Sequence, residues 1–447
     1  MKDHEYYDSR DDRLLRYPEA RRLDQTRWIA ISAEPDYLQT YAGQVAVLTA
    51  ANLLGRMSCR VVLDIPAIAM VAPLPWAGTD LRGFALTQMQ AADPRGDYRV
   101  RHAREGDHIL HLGTSGAPVV THGTGWLAYH GPDPSPLPVD DSANPVGAAL
   151  AVIAAAARLA VNGFDCGSRA PLQLNAFDWT HNIRAAPPLP SCPDLGSTWT
   201  IGTGSVGTTI LYLLTLATRK FSPVLFDGDK VKRENITRSP VFTASDIGTP
   251  TVMVTANHLR ACGIEDVVAE PKPLHESRRW LDREAGTPDL VIAAANEHNV
   301  RHLIESQFPP IQIYGTTGKN WQASVIRHAP LIDPCSCCLF PEATYAATTC
   351  ATDAEAVAVA DKGEQIDASL PFLSFAAGLM AAAEILKLHV AGYVMRPNRA
   401  FLMTKPEVRL VRAGIHFRDG CICRARSRAV HLEMLKGSRF EGLSAHA

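Results

Sequence analysis

Net charge is the first thing this chain of 447 residues lacks. Its 44 Lys and Arg stand against 46 Asp and Glu, leaving a formal charge of -2. A nucleic-acid binder would carry a basic excess, so no nucleic-acid partner is expected. Long apolar runs are missing too. The two longest, near residues 146–159 and 370–386, are short or alanine-rich, and the second contains Pro371 and Glu384. Both are expected to be buried helices, and no membrane partner is expected. The first 25 residues are charged and have no apolar core of the secretory type. The expectation is a cytoplasmic protein whose thiols stay reduced, so the cysteines are not a disulfide framework.

What is present is a chain with a core. Hydrophobic residues make up 46% and charged residues 20%, which excludes global disorder. A Pro- and Ser-rich stretch, RAAPPLPSCPDLGS, favours neither helix nor central strand and reads as a linker over 184–197. It separates a front part, 1–183, from a back part, 198–447. The back part alternates strand-like and helix-like segments: strands near 199–202, 223–227, 267, 289–295 and 311–315, and helices near 206–218 and 250–262. That alternation predicts an α/β fold with a mostly parallel sheet. The front part repeats the plan, with strands near 27–33, 59–64, 107–113 and 125–131 and helices near 38–56 and 144–161. The expected architecture is two Rossmann-like halves plus a zinc-binding element. No glycine triplet follows the first front strand, so the front half is expected to be a degenerate, inactive partner.

Chemistry concentrates in the back part. Gly202-Thr-Gly204-Ser-Val-Gly207 follows a strand and opens a helix. Glycines there permit a tight turn and a close phosphate, and the helix N-terminus offers free N–H groups. Asp227 lies twenty positions on, where an acid would hold a ribose hydroxyl. A dinucleotide oxidoreductase would show the same two features. The continuation to Asp229, Asn235 and Arg238 is different, because an amide and a guanidinium three apart suit a triphosphate.

The spacing D-x-D-x-V-x-x-x-N-x-x-R after that turn resembles the nucleotide site of the ubiquitin-activating, ThiF/MoeB-type adenylyltransferases. So do Phe242-Thr-Ala-Ser-Asp-Ile-Gly-Thr-Pro250 and Cys335-Ser-Cys-Cys338-Leu-Phe-Pro-Glu342, and the likeness covers the whole back part. The front–back duplication is similar to members that join an inactive and an active half. The resemblance implies ATP-dependent adenylation of the C-terminal glycine of a ubiquitin-like protein, with Mg²⁺, and a bacterial conjugation or defence setting. Gly202, Gly204 and Gly207 would line the phosphates and Asp227 would hold the ribose. Asp229, Asn235 and Arg238 would surround the phosphates and the magnesium, joined by Asn296. A loop cysteine, Cys350, would then accept the acyl group as a thioester for a separate conjugating enzyme. The chain departs from the family pattern twice. Thr251 stands where a lysine is usual, with Lys230, Lys232 and Lys319 as substitutes, and Asn296 stands where an Asp is usual. A catalytically silent scaffold and a sulfur-carrier adenylyltransferase are the alternatives.

The ten cysteines are unevenly spread. Cys335 and Cys338 form a C-x-x-C pair, and Cys421 and Cys423 a C-x-C pair about eighty residues later. Four thiolates would satisfy a tetrahedral Zn²⁺; Cys337 competes as a ligand, and buried free thiols are the other reading. Arg10, Arg13, Arg16, Arg21 and Arg22 form an N-terminal cluster. It reads as a solvated helix face, or as the source of an arginine reaching the ATP phosphates.

Overall fold

The computed structural model describes residues 3–15, 22–138, 142–163, 170–282, 286–295, 298–307, 309–318, 321–330, 332–340, 370–393, 397–424 and 439. Two short helices, α1 (Asp3–Arg10) and α2 (Asp12–Leu15), precede the front sheet. That sheet has the order β3-β2-β1-β4-β5-β6-β7, where β1 is Ile29–Ala33, β2 Arg60–Asp64, β3 Asp97–Val100, β4 His108–Leu112, β5 Val119–Thr124, β6 Leu127–Pro132 and β7 Leu172–Asn175. The back sheet has the order β10-β9-β8-β11-β12-β13-β14-β15. Here β8 is Gly196–Ile201, β9 Phe221–Phe226, β10 Val268–Glu270, β11 Leu290–Ala293, β12 Ile311–Gly318, β13 Gln322–His328, β14 Arg399–Met403 and β15 Arg409–Ala413.

The two orders superimpose position for position. In each sheet the first five strands run parallel and the following ones antiparallel. The reading of two mostly parallel, Rossmann-like halves is therefore met in topology. Strand β8 starts at Gly196, so the last two linker residues are already sheet.

Between the sheets lie α4 (Tyr41–Met57), α6 (Val146–Asn162), α7 (Ser205–Ala217) and α13 (Pro371–Lys387). Both segments are the buried helices expected: α6 packs on β5 and β6, α13 packs on β12 and β13, the two also pack on each other, and α13 is buried along its whole length. A helix apolar on every side must be covered on every side, and the alanines let the helices come close. One continuous core therefore runs through both halves.

A buried polar network fastens this layer. The Trp179 indole N–H and the Lys387 ammonium donate to Glu384 Oε1 at 2.6 and 2.7 Å, and Arg327 and Tyr393 donate to Oε2 at 3.0 and 2.7 Å. Burial alone would raise the Glu384 carboxyl; Lys387 and Arg327 outweigh it and pull it down to about 2. Burial pushes Lys387 down to about 8. Both groups are thus charged near neutrality. Removing the carboxylate strands the buried Lys387 ammonium and leaves Arg327 only Asp333 as an acidic partner, so Glu384→Ala is expected to destabilise the fold by about 3–5 kcal/mol, read by denaturant unfolding. A depressed carboxyl gives stability that is present above its unfolded value of 4.5 and lost as pH falls toward 2. The variant's unfolding free energy should therefore vary less between pH 4.5 and pH 2 than that of the wild type.

Candidate nucleotide site and cysteine cluster

Strand β8 ends in the glycine turn, and each glycine has its own reason. Gly202 has a φ of +87°, in the left-handed region, and a Cβ there would meet Ala295 N at 2.9 Å. A Cβ on Gly207 would lie 2.0 Å from the Gly202 carbonyl oxygen. These two let the turn fold tightly and α7 pack against it. Gly204, the N-cap of α7, faces open space. Its surroundings leave room for a ligand at the end of the helix, where main-chain N–H groups point outward.

Asp227 follows β9 directly and closes on the turn. Its Oδ2 accepts from Thr203 N at 2.7 Å and Thr203 Oγ1 at 3.2 Å, and its Oδ1 accepts from Asp229 N at 2.9 Å. Thr251, the residue at the lysine position, opens α9 (Thr251–Ala261) and is buried. It accepts from Thr203 Oγ1 at 2.9 Å and donates to the Asp229 carbonyl. Its short hydroxyl thus links the glycine turn to the Asp229 main chain. Lys230 and Lys232 are exposed, and Lys319 and Asn296 lie outside the described residues.

Asn235 and Arg238 belong to the short helix α8 (Arg233–Ile236) and its exit. Asn235 Oδ1 accepts from Lys232 N at 2.8 Å, a capping contact at the start of the helix. Ser239, beside Arg238, meets Thr208 of the first turn of α7 at 2.9 Å, which draws this segment up to the glycine turn. Arg238 Nε donates to the Glu234 carbonyl. Burial, and then the charge of Arg13, push the half-buried Arg238 guanidinium down to about 10.

Arg13 comes from the N-terminal cluster, which the structure divides. Arg10 is buried and paired with Asp11 and Asp93, and Arg22 is paired with Asp11 and Asp8. Arg16 and Arg21 lie outside the described residues. The charge of Arg13 acts on Arg238, and the Arg13 Nε has no hydrogen-bond partner among the described residues.

The front half treats the equivalent position differently. Where β8 leads to Gly202, β1 leads to Glu34. Its carboxylate accepts from Thr114 N and Oγ1 at 2.7 Å each, and from Ser115 N at 3.3 Å and Oγ at 3.1 Å. Burial would raise this carboxyl, but those four bonds hold it below its ordinary value. The loop after β4 thus already satisfies its donors with an internal anion. The sequence reading noticed only the missing glycines.

Cys335, Cys338, Cys421 and Cys423 meet, with all four sulfurs within 4.8 Å of one another. The Cys335–Cys421 and Cys338–Cys423 separations are 3.5 Å and the Cys335–Cys338 separation is 4.0 Å. A tetrahedron with ~2.3 Å metal–sulfur bonds has edges of about 3.8 Å, whereas a disulfide needs about 2.05 Å. The four thiols therefore fit a zinc ion, which would tie the 421–423 turn to the α12 segment (Ser336–Leu339). Cys337 turns away toward His302, 3.8 Å off. Cys350 lies outside the described residues.

The back half is thus a doubly wound α/β unit with an open glycine turn and an acid bonded to it. More specifically, the chain carries a ThiF family domain, matched over residues 197–412. Among curated proteins it is similar to the SAMP-activating enzyme E1 of Haloferax volcanii, at 28% identity over 157 residues, covering 34% of this chain and 57% of that protein. Among solved structures it is similar to E. coli MccB, at 16% identity and a TM-score of 0.41 over 52% of this chain and 65% of MccB. It is similar to MccB with ATP at 15% identity and a TM-score of 0.40, over 50% of this chain and 65% of that one. The chain thus spans less than two thirds of the length of these relatives. No helix among the described residues is long and apolar enough to cross a membrane.

Proposed function

We propose that the chain is an ATP-dependent activating enzyme for a ubiquitin-like protein, with an inactive front half and an adenylating back half. What supports this reading is the open Gly204 turn with Asp227 bonded to it, together with Arg238, on which the charge of Arg13 acts. Main-chain N–H groups and two guanidinium groups there suit a triphosphate, and Asp227 suits the ribose. A glycine carboxylate of the modifier attacks the α-phosphorus, the bond to the bridging oxygen of the β-phosphate breaks, and pyrophosphate leaves. Arg13 and Arg238 supply the positive charge that a lysine at position 251 would have given. Mg²⁺ would be held by Asp229, with Asn296 as a neutral oxygen ligand, and would offset charge on the phosphates. The Cys350 thiolate then attacks the acyl carbon and AMP leaves, giving a thioester for a separate conjugating enzyme. The relative from Haloferax volcanii, named as SAMP-activating, supports a small protein as substrate. In this reading the zinc site is structural.

The test is ATP–pyrophosphate exchange with candidate ubiquitin-like proteins. Asp227→Ala is expected to lower exchange at least a hundredfold. Cys350→Ala should leave exchange intact and remove a thiol-sensitive adduct seen on a non-reducing gel. Exchange that survives Asp227→Ala would end the reading, and an adduct that survives Cys350→Ala would end the role of that cysteine. The silent-scaffold alternative, motivated by Thr251, predicts no exchange with any modifier.

A further inference from the structure

The front half carries a pair of side chains that the adenylation reading does not use. Strand β1 has β2 on one side and β4 on the other, and all three are parallel. The chain leaves β1 for β2 and later returns to β4. The crevice of an open α/β sheet therefore falls at the carboxyl ends of β1 and β4. In the back sheet the equivalent place, between β8 and β11, holds the glycine turn. Two residues before Glu34 stands Ser32, in register with His111 on β4. Two residues before Gly202 the same pairing is Thr200 with Ile292. A hydroxyl with a base beside it is thus present in the front sheet and absent from this position of the back one.

His111 is fixed at both nitrogens. Its Nε2 lies 2.8 Å from the Ser115 carbonyl oxygen, which can only accept, so in the neutral ring Nε2 carries the proton. Nδ1 then offers a lone pair, and Ser32 Oγ, 2.9 Å away, donates to it. Ser115 is itself held by Glu34, through its N–H at 3.3 Å and its hydroxyl at 3.1 Å. A carboxylate thus secures the loop whose carbonyl orients the imidazole, and the imidazole turns its base nitrogen to a hydroxyl. Nucleophile, base and orienting group within hydrogen-bond reach form the arrangement that activates a serine. Ser32, His111 and Ser115 are each half-buried, and the exposed Gly116 brings no side chain over the Nε2 edge of the ring.

The neighbours decide the charge of a substrate. Burial would raise the Glu34 carboxyl, but its Thr114 and Ser115 bonds hold it below its ordinary value, so it is an anion near neutrality. Asp64, bonded to His102 and to Ala103 N, is in register with Ser32 on β2. Acidic groups on both sides disfavour a phosphate and suit an uncharged acyl group.

We propose that Ser32 is an acyl-accepting nucleophile for uncharged carboxylic esters, with His111 as its general base. His111 Nδ1 takes the Ser32 Oγ proton as Oγ bonds to the ester carbonyl carbon. The bond from that carbon to the alkoxy oxygen breaks, and the leaving alcohol takes the proton from Nδ1. Water, with Nδ1 again as base, then releases the acyl group as a carboxylic acid and restores Ser32. The Thr114 and Ser115 amides already serve Glu34, so they give the tetrahedral oxyanion no donor, and the acyl-serine turns over slowly. This chemistry is separate from adenylation, in which the front half has no part.

Incubation of the full-length chain with p-nitrophenyl acetate, in the absence of ATP and of any modifier, tests this independently of the adenylation reading. A burst approaching one nitrophenolate per chain is expected, and peptide mapping by mass spectrometry should place an acetyl group on Ser32. Ser32→Ala should remove the burst. His111→Gln should slow acetylation of Ser32 by about a hundredfold or more. Mapping of the wild-type adduct needs no variant, so the proposal stays decidable if His111→Gln folds poorly. Acetyl groups confined to other residues, a burst retained in Ser32→Ala, or an unchanged rate at Ser32 in a folded His111→Gln would overturn it.

Discussion

Replacing Arg238 by methionine is expected to cut ATP–pyrophosphate exchange by about 10²–10³-fold, while leaving the unliganded protein as stable as before or more so. The two halves of this result have one cause. Burial and the neighbouring Arg13 already push the Arg238 guanidinium down to about 10, so the free protein holds two charges that oppose each other. Taking one away relieves repulsion at rest. Both charges become favourable only when an anion lies between them, which is the arrangement expected of groups aimed at a transferring phosphate. Arg13→Met should behave in the same way, and the double variant should lose little more than either single one if the pair acts as a unit. Thermal unfolding gives an independent reading. ATP should raise the melting temperature of the wild type by linkage and should raise that of either variant much less. A merely structural role for Arg238 predicts the reverse, with a lower melting temperature and exchange within about threefold of the wild type; observing this would remove the triphosphate assignment.

The second large effect concerns the four sulfurs. The chain is expected to purify with one zinc per molecule, and Cys335→Ser or Cys421→Ser should lose it. Structural zinc sites carry about 10–16 kcal/mol of apparent binding free energy near neutrality, so its loss should unfold the segment that follows β15. Cys335, Cys421 and Cys423 are buried together with apolar neighbours, and four thiols crowded within 4.8 Å have little reason to stay together without a metal. Metal analysis and thermal unfolding, before and after chelation, measure this. Cys337→Ala is the control. Its sulfur faces His302, so this variant should retain zinc and lose only packing, about 1 kcal/mol. Zinc lost from Cys337→Ala but retained in Cys421→Ser would reassign the ligand set.

Much of this molecule could be read without coordinates. Strands β1, β2, β4, β6, β8, β9, β10, β11 and β12 were visible as short apolar runs bounded by turn residues, most of them because central strands of a parallel sheet are buried on both faces. The glycine turn was visible because glycine is needed there for two reasons that only glycine meets, a left-handed φ and a carbonyl at 2.0 Å from a would-be Cβ. Strands β3, β5, β7, β13, β14 and β15 were missed. Four of them sit in antiparallel hairpins, β5 with β6, β13 with β12 and β14 with β15, and polar residues such as His122, Thr124, Gln322 and Arg399 break or bound their apolar runs. Helix α5 (Leu81–Ala92) was missed as well, since its buried positions are few and its apolar stripe thin.

The sequence by itself determined which residues can bend tightly, which can bear charge and which can hold a metal, because those are properties of single side chains and of their spacing. It therefore sufficed for the two halves, the glycine turn with Asp227, and the two cysteine pairs. Tertiary structure decided matters of distance between segments. It brought the charge of Arg13 to bear on Arg238, turned Cys337 out of the sulfur cluster, and made Glu34 the anion of the front half. It also placed α6 and α13 between the sheets rather than over them. Each of these choices depends on which surfaces remain uncovered once the rest of the chain has packed, and such a surface exists only in the folded molecule.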